Sequence, residues 1–150
     1  MKYLLIFSVM LLSIMRGYAQ SDNITGIWLT EDGKSQVRIY KATNGKYYGK
    51  IVWIMEKDKR DNLDVKNPDE KLRDRKILGL TIILGLEYNP DEKEWSKGYA
   101  YDPESGKSYD CFIRFEAGDN NTLYLKGFLM GMRFVGRTTV WQREEAVRTE

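Results

Sequence analysis

Ser35-Gln36-Val37-Arg38-Ile39-Tyr40-Lys41-Ala42-Thr43-Asn44-Gly45-Lys46-Tyr47-Tyr48-Gly49-Lys50-Ile51-Val52-Trp53-Ile54 decides how this chain folds. Val37, Ile39 and Lys41 alternate with Gln36, Arg38 and Tyr40, which is the period of a strand with two unlike faces. Asn44-Gly45 then offers the positive φ that a tight hairpin turn requires, and the β-rich run Tyr47 to Ile54 returns beside the first. The stretch predicts an antiparallel hairpin.

The same grammar continues on both sides. Upstream, Gly26 to Thr30 is a short strand turned by Glu31-Asp32-Gly33-Lys34. Downstream, Leu80, Ile82, Leu84 and Leu86 alternate with Thr81, Ile83, Gly85 and Glu87 before the turn Asn89-Pro90-Asp91-Glu92. Glu94 to Tyr101 and Ser108 to Phe115 flank Asp102-Pro103-Glu104-Ser105-Gly106-Lys107, where Pro presets φ and Gly permits the return. Gly118-Asp119-Asn120-Asn121 leads into Thr122 to Leu129, and Gly131 leads into Arg133 to Arg143. About eight strands joined by local turns predict an all-β, antiparallel up-and-down barrel, because closure removes exposed edges. A sandwich is the alternative, and it needs longer crossovers.

One connection breaks the rhythm. Glu56 to Lys76 carries seven acidic and eight basic side chains in 21 residues, so it is not a core segment. Within it, Asn67-Pro68-Asp69-Glu70 has the form of a helix start, with Asn as cap, Pro at the first position and acids over the first turn. The expectation is a helix of about two turns over the barrel, docked by Leu72.

The N-terminus has a different character. Lys2, the apolar run Tyr3 to Met15 and the small-x-small pair Gly17 and Ala19 form a cleavable export signal over residues 1–20, leaving one domain over 21–150. The run is too short to span a bilayer. A lipid anchor needs a cysteine at the cleavage point, and the single cysteine is Cys111, which sits in strand alternation as a small buried hydrophobe. A periplasmic or secreted location follows.

Lys2 and Arg16 are the only charges in the signal. Without them the 24 basic side chains fall to 22 against 22 acidic ones, and the formal +2 disappears. Net charge therefore gives no reason to expect nucleic acid or an anionic membrane as partner. Histidine is absent, which excludes Ser-His and Cys-His dyads and histidine-ligated zinc sites.

Several segments together carry a family resemblance. They are Gly26-Ile27-Trp28-Leu29-Thr30, Val37-Arg38-Ile39-Tyr40, Gly45-Lys46-Tyr47-Tyr48-Gly49-Lys50-Ile51-Val52-Trp53, Asn67-Pro68-Asp69, Ile77-Leu78-Gly79, Tyr101-Asp102-Pro103 with Gly106-Lys107-Ser108-Tyr109, and Gly136-Arg137-Thr138-Thr139-Val140-Trp141-Gln142-Arg143. As a set they resemble the bacterial domain-of-unknown-function family 2147. The resemblance implies an exported, lipocalin-like (calycin) β-barrel and no established activity. Gly26-x-Trp28 also resembles the first strand of lipocalins, whose Trp packs against an Arg of the last strand. Arg137 and Arg143 are the candidates for that structural closure, a cation laid on an indole. The other lipocalin motifs and disulfides are missing.

Candidate chemistry is sparse. Asp61, Asp64 and Asp69, with Asn62 and Asn67, offer oxygens for calcium, but Lys59, Arg60 and Lys66 interleave and the EF-hand order is absent. Ion pairs on a solvated loop are the simpler reading, and no metal or other cofactor is expected. Lys34-Ser35 and Lys107-Ser108 are turn residues whose side chains diverge on a strand. Glu87, Asp102 and Asp110 are acids in or beside strands that a two-carboxylate hydrolase could use.

The aromatics say more. Trp95, Tyr99 and Tyr101 are expected on one face with Lys97, opposite Ser96, Gly98 and Ala100. An eight-stranded barrel is just wide enough to be filled by side chains or to hold one small ligand. Arg38, Tyr40, Trp53, Tyr99 and Tyr101 form the candidate ligand-binding set, aromatic walls with a cationic tether. The leading expectation is a non-catalytic envelope barrel that binds a small apolar or amphipathic ligand. The alternatives are a solid barrel that docks an envelope protein or polymer, and a histidine-free carboxylate hydrolase.

Overall fold

The hairpin read from Ser35 to Ile54 is present, and every later strand is laid beside its predecessor. The computed structural model describes residues 23–149, so the segment read as an export signal lies outside the described residues. The strands are β1 (Gly26–Leu29), β2 (Ser35–Lys41), β3 (Tyr47–Ile54), β4 (Thr81–Asn89), β5 (Glu94–Asp102), β6 (Lys107–Glu116), β7 (Asp119–Phe128) and β8 (Gly136–Glu144). Each pairs antiparallel with the next, and β8 closes on β1 through Ile27↔Glu144, Trp28↔Arg143 and Leu29↔Gln142. The result is a closed eight-stranded up-and-down barrel, with no open sheet edge among these strands.

Two alternations expected from the sequence are broken by bulges. Tyr47 pairs with Leu86 but Gly49 with Ile83 and Lys50 with Thr81, so β4 slips twice, by one residue each time, against β3; Trp95 pairs with Ile113 but Gly98 with Cys111, so β5 carries one residue too many for β6. Gly85 (φ +71°) and Lys97 (φ +63°) absorb the excess. Ile83 and Leu86 therefore enter the core, while Leu84 is exposed. For the same reason Trp95 does not share a face with Tyr99 and Tyr101. Trp95 is fully buried, whereas Tyr99 is 55% exposed.

A further bulge separates Val37↔Ile51 from Gln36↔Trp53 and turns Trp53 away from Ile51. Trp53 and Gln36 are then covered from outside by the C-terminal tail. Gln36 bonds to Glu144, donates to the Ala146 carbonyl at 3.0 Å and accepts from the Arg148 backbone N–H at 2.8 Å. The Arg148 guanidinium stands 5.2 Å from the Trp53 ring.

The connection between β3 and β4 does not form the expected two-turn helix. It contains two single 3₁₀ turns, Lys57–Lys59 and Glu70–Leu72. Asp69, not Asn67, caps the second by accepting from the Lys71 N–H. Asn67 instead accepts from the Asp69 N–H and donates its amide to Asp64. The limbs of the connection pair with each other, the Asp64 N–H donating to Arg75 O and the Ile77 N–H to Asn62 O. Main-chain groups satisfied in this way no longer need a helix.

Candidate ligand cleft at the loop end of the barrel

The alternation of strands gives the barrel two unlike ends. Residues 42–46, 90–93 and 117–118 make the short turns at one end, where the chain also enters β1 and leaves β8. The connections 30–34, 55–80, 103–106 and 129–135 lie at the other. At the short-turn end the axis is packed with rings. Trp95 lies 4.7 Å from Tyr88, 5.4 Å from Phe115 and 6.1 Å from Tyr47 between centroids, and Trp28 lies 6.1 Å from Phe115. Of the two Arg candidates, Arg143 stands over Trp28 at 4.3 Å, while Arg137 lies beside Gly127 and is exposed. Arg143 also donates to the carbonyls of Asn120, Thr25 and Asn23. Burial draws its pKa below the ordinary arginine value.

The walls leave little room deeper in. A methyl group on Gly49 would approach Ile83 and Val37 side-chain atoms to about 3 Å, and one on Gly98 would lie 2.4 Å from the Leu84 carbonyl. Cys111 is almost fully buried in this core, and burial pushes its thiol up to about 12. Two clefts lie away from the ring-packed axis.

The larger, about 570 Å³, is open-sided and lies between the long connection and the β5–β6 turn. Leu63, Val65, Ile77 and Pro103 form apolar walls, and Asn62, Lys66 and Glu104 a polar rim. Asp64 holds the loop side of this cleft in place. Its carboxylate is fully buried, accepting from Tyr101 Oη at 2.5 Å, Asn67 Nδ2 at 2.8 Å and Arg75 Nη2 at 3.3 Å. Burial, reinforced by that carboxylate, pushes the Tyr101 hydroxyl up to about 12. The hairpin side is set by Gly106, where a Cβ would fall 2.0 Å from the Lys66 carbonyl. Lys66 Nζ bridges the two sides to the Glu104 carbonyl at 2.5 Å.

The five residues of the sequence-derived ligand set are not brought together. Arg38 and Tyr40 are exposed, with Tyr40 stacked on Tyr48 at 6.0 Å. Trp53 is under the tail, and Tyr99 is outside. Tyr101 alone reaches the loop-end cleft, through Asp64. Asp64 itself was hidden among the charges of its loop, since nothing in its neighbours separates a buried carboxylate from a solvated one. Its flanking Leu63 and Val65 were the available hint. The loop carboxylates do not converge on a cation: Asp61 pairs with Lys76, Asp69 caps a turn, and no group of metal-ligating side chains forms among the described residues.

The second cleft, about 380 Å³, is lined by Glu92, Glu94 and Asp110 among others. Both Glu94 oxygens accept from Arg133, at 2.7 and 2.6 Å, so neither is left facing the cleft as a free base.

A closed eight-stranded up-and-down antiparallel barrel with a ring-packed end and a looped end is a lipocalin-like fold. The family described as an uncharacterized protein conserved in bacteria (DUF2147) matches residues 26–143, and the chain belongs to it. Among solved structures, the chain is similar to protein HP1028 of Helicobacter pylori, described as belonging to the lipocalin family. The TM-score is 0.71 at 24% sequence identity, over 82% of this chain and 84% of that one. No curated protein matches the sequence.

Proposed function

We propose that this chain is a non-catalytic binding protein of the bacterial envelope, exported by its N-terminal signal, that holds a small amphipathic ligand in the loop-end cleft. The observation that carries this reading is the cleft of about 570 Å³ with apolar walls, a polar rim and a buried carboxylate fixing its loop side. Its size falls within the range of small-molecule sites, roughly 300–1,000 Å³. The ring-packed axis favours this cleft over the barrel interior as the binding place. Lys66 and Asn62 supply donors for the polar end of a ligand, and Leu63, Val65 and Ile77 a surface for its apolar part.

Native mass spectrometry of the protein recovered from the envelope tests it. The wild type is expected to retain a co-purified small molecule, and the variant Leu63→Asp/Val65→Asp to lose it. A bare mass for the wild type, or an adduct that survives in the variant, defeats the proposal. N-terminal sequencing of the same material tests export, with a start near Gln20 or Ser21 expected.

A further inference from the structure

Gln36 is fully buried although it stands on the outer face of the barrel. It alternates with the core residue Val37 and pairs in register with Leu29 and Trp53, on the side of the wall opposite Trp28. Its cover is the chain's own tail, residues 145–149, which folds back across the wall after β8. The Gln36 amide donates to the Ala146 carbonyl at 3.0 Å and accepts from the Arg148 backbone N–H at 2.8 Å. These are main-chain groups, which any peptide offers.

An arginine completes the contact. The Arg148 guanidinium stands 5.2 Å from the Trp53 ring and bonds to both carboxylate oxygens of Glu144. Glu144 pairs with Ile27 in the barrel wall and Trp53 belongs to β3, so ring and carboxylate stay in place when the tail leaves. Together they form a receptor for a guanidinium, a ring face to lie on and a carboxylate to hold it by two bonds.

The tail is attached by side chains alone. No main-chain hydrogen bond joins residues 145–149 to the barrel among the described residues, and Glu145, Ala146, Arg148 and Thr149 are exposed. The Trp53 indole N–H is left buried under it without an acceptor, an unfavourable state for a polar group. The seat suits a main chain bearing an arginine, and its resident segment satisfies it incompletely.

We infer that the outer face around Gln36, Trp53 and Glu144 is a docking groove for an arginine-bearing peptide segment of a partner protein, with residues 145–149 as its resident competitor. The inference does not depend on the loop-end cleft holding a ligand. Fluorescence anisotropy of a labelled peptide copying residues 145–149, titrated with the full chain, tests it. The wild type is expected to bind weakly, because the tethered tail competes at a roughly millimolar effective concentration. Arg148→Pro removes both the N–H that Gln36 accepts and the guanidinium on Trp53, so it frees the groove and should bind the peptide about tenfold more tightly than wild type, or better.

Adding Glu144→Gln to that variant should weaken peptide binding about tenfold, as should a peptide carrying Arg148→Gln. Position 148 is exposed, so circular dichroism of Arg148→Pro should match wild type. Arg148→Ala keeps the N–H, is expected to give a smaller gain, and serves if proline disturbs the end of β8. Arg148→Pro and Arg148→Ala proteins that bind no better than wild type overturn the inference, as does a peptide that binds equally well without its arginine. Hydrogen exchange locates the contact: added protection is expected in β2 and β3, and protection confined to another face overturns the groove. Wild-type dimers formed by exchanged tails, seen by analytical ultracentrifugation, overturn it in favour of a second copy as the occupant.

Discussion

The two ends of the barrel solve the same problem, closing a tube of strands, with different materials. At the short-turn end, rings fill the axis and Arg143 ties three backbone carbonyls from two separate segments over Trp28. Backbone acceptors cannot be rearranged without moving strands, so this end is fixed by the fold itself. At the loop end a single buried carboxylate, Asp64, gathers side chains from the loop and from β5. One end is a plug and the other a latch. A plug failing should unfold the barrel, whereas a latch failing should free one loop.

The largest expected effect tests the plug. Trp28 is fully buried against Phe115 and Arg143, and its indole N–H donates to the Ile24 carbonyl at 2.9 Å. Trp28→Ala is expected to destabilise the protein by about 3–5 kcal/mol, the usual cost of replacing a buried large aromatic with alanine. Urea denaturation followed by circular dichroism measures it. A loss below about 1 kcal/mol would mean that the rings are not the support they resemble.

Breaking the latch should cost less and act locally. Asp64→Ala leaves Tyr101 Oη and Asn67 Nδ2 without their acceptor, an expected loss of about 1–3 kcal/mol. The distinguishing readout is hydrogen exchange: amides of 62–77 should exchange faster while those of β6 and β7 keep their protection. If Asp64→Ala and Trp28→Ala accelerate exchange in the same residues, the plug and the latch are one cooperative unit and the contrast fails.

These two sites also mark how far the sequence could be read. Strand number, antiparallel order and barrel closure follow from turn chemistry and alternation, which are local. Trp28 stood out because its surroundings repeat a recognisable opening. The bulges at Gly85 and Lys97 were not legible, because a single extra residue leaves no compositional trace on a polar lysine, yet it reverses the face of every residue beyond it. That reversal is why Tyr99 lies outside. Asp64 was illegible for a different reason: burial of a charge depends on partners 3, 11 and 37 residues away in sequence.

Alkaline pH offers a subtler probe of the same contrast. Burial, aided by Asp64, raises the Tyr101 hydroxyl from 10.0 to about 12, and burial raises the Cys111 thiol from 9.0 to about 12. Both acids hold their protons more tightly folded than unfolded, so unfolding releases protons in this range. Their stabilising contribution is complete below the unfolded values and disappears as pH rises toward 12. Tyr101→Phe should flatten the fall in stability between pH 10 and 12, and Cys111→Ala the part that begins near pH 9. A slope unchanged by both variants would contradict the assignment.

The smallest effect concerns the seam between the plug and the latch, where β4 and β5 bulge together. Lys97 is held at φ +63°, and its ammonium makes only an exposed pair with Glu87 at 3.7 Å. If the bulge is imposed by its surroundings, Lys97→Gly removes strain and should stabilise the barrel by about 1 kcal/mol despite the added freedom of the unfolded chain. Gly85, at φ +71°, predicts the opposite sign for Gly85→Ala, although open space surrounds its Cβ position apart from Lys46 at 3.9 Å. Opposite signs at two neighbouring positions, measured in one denaturation series, would tie the cost to backbone handedness and not to packing. Equal signs would mean that the paired bulge is set by the Gly98 contact with Leu84, where no side chain fits at all.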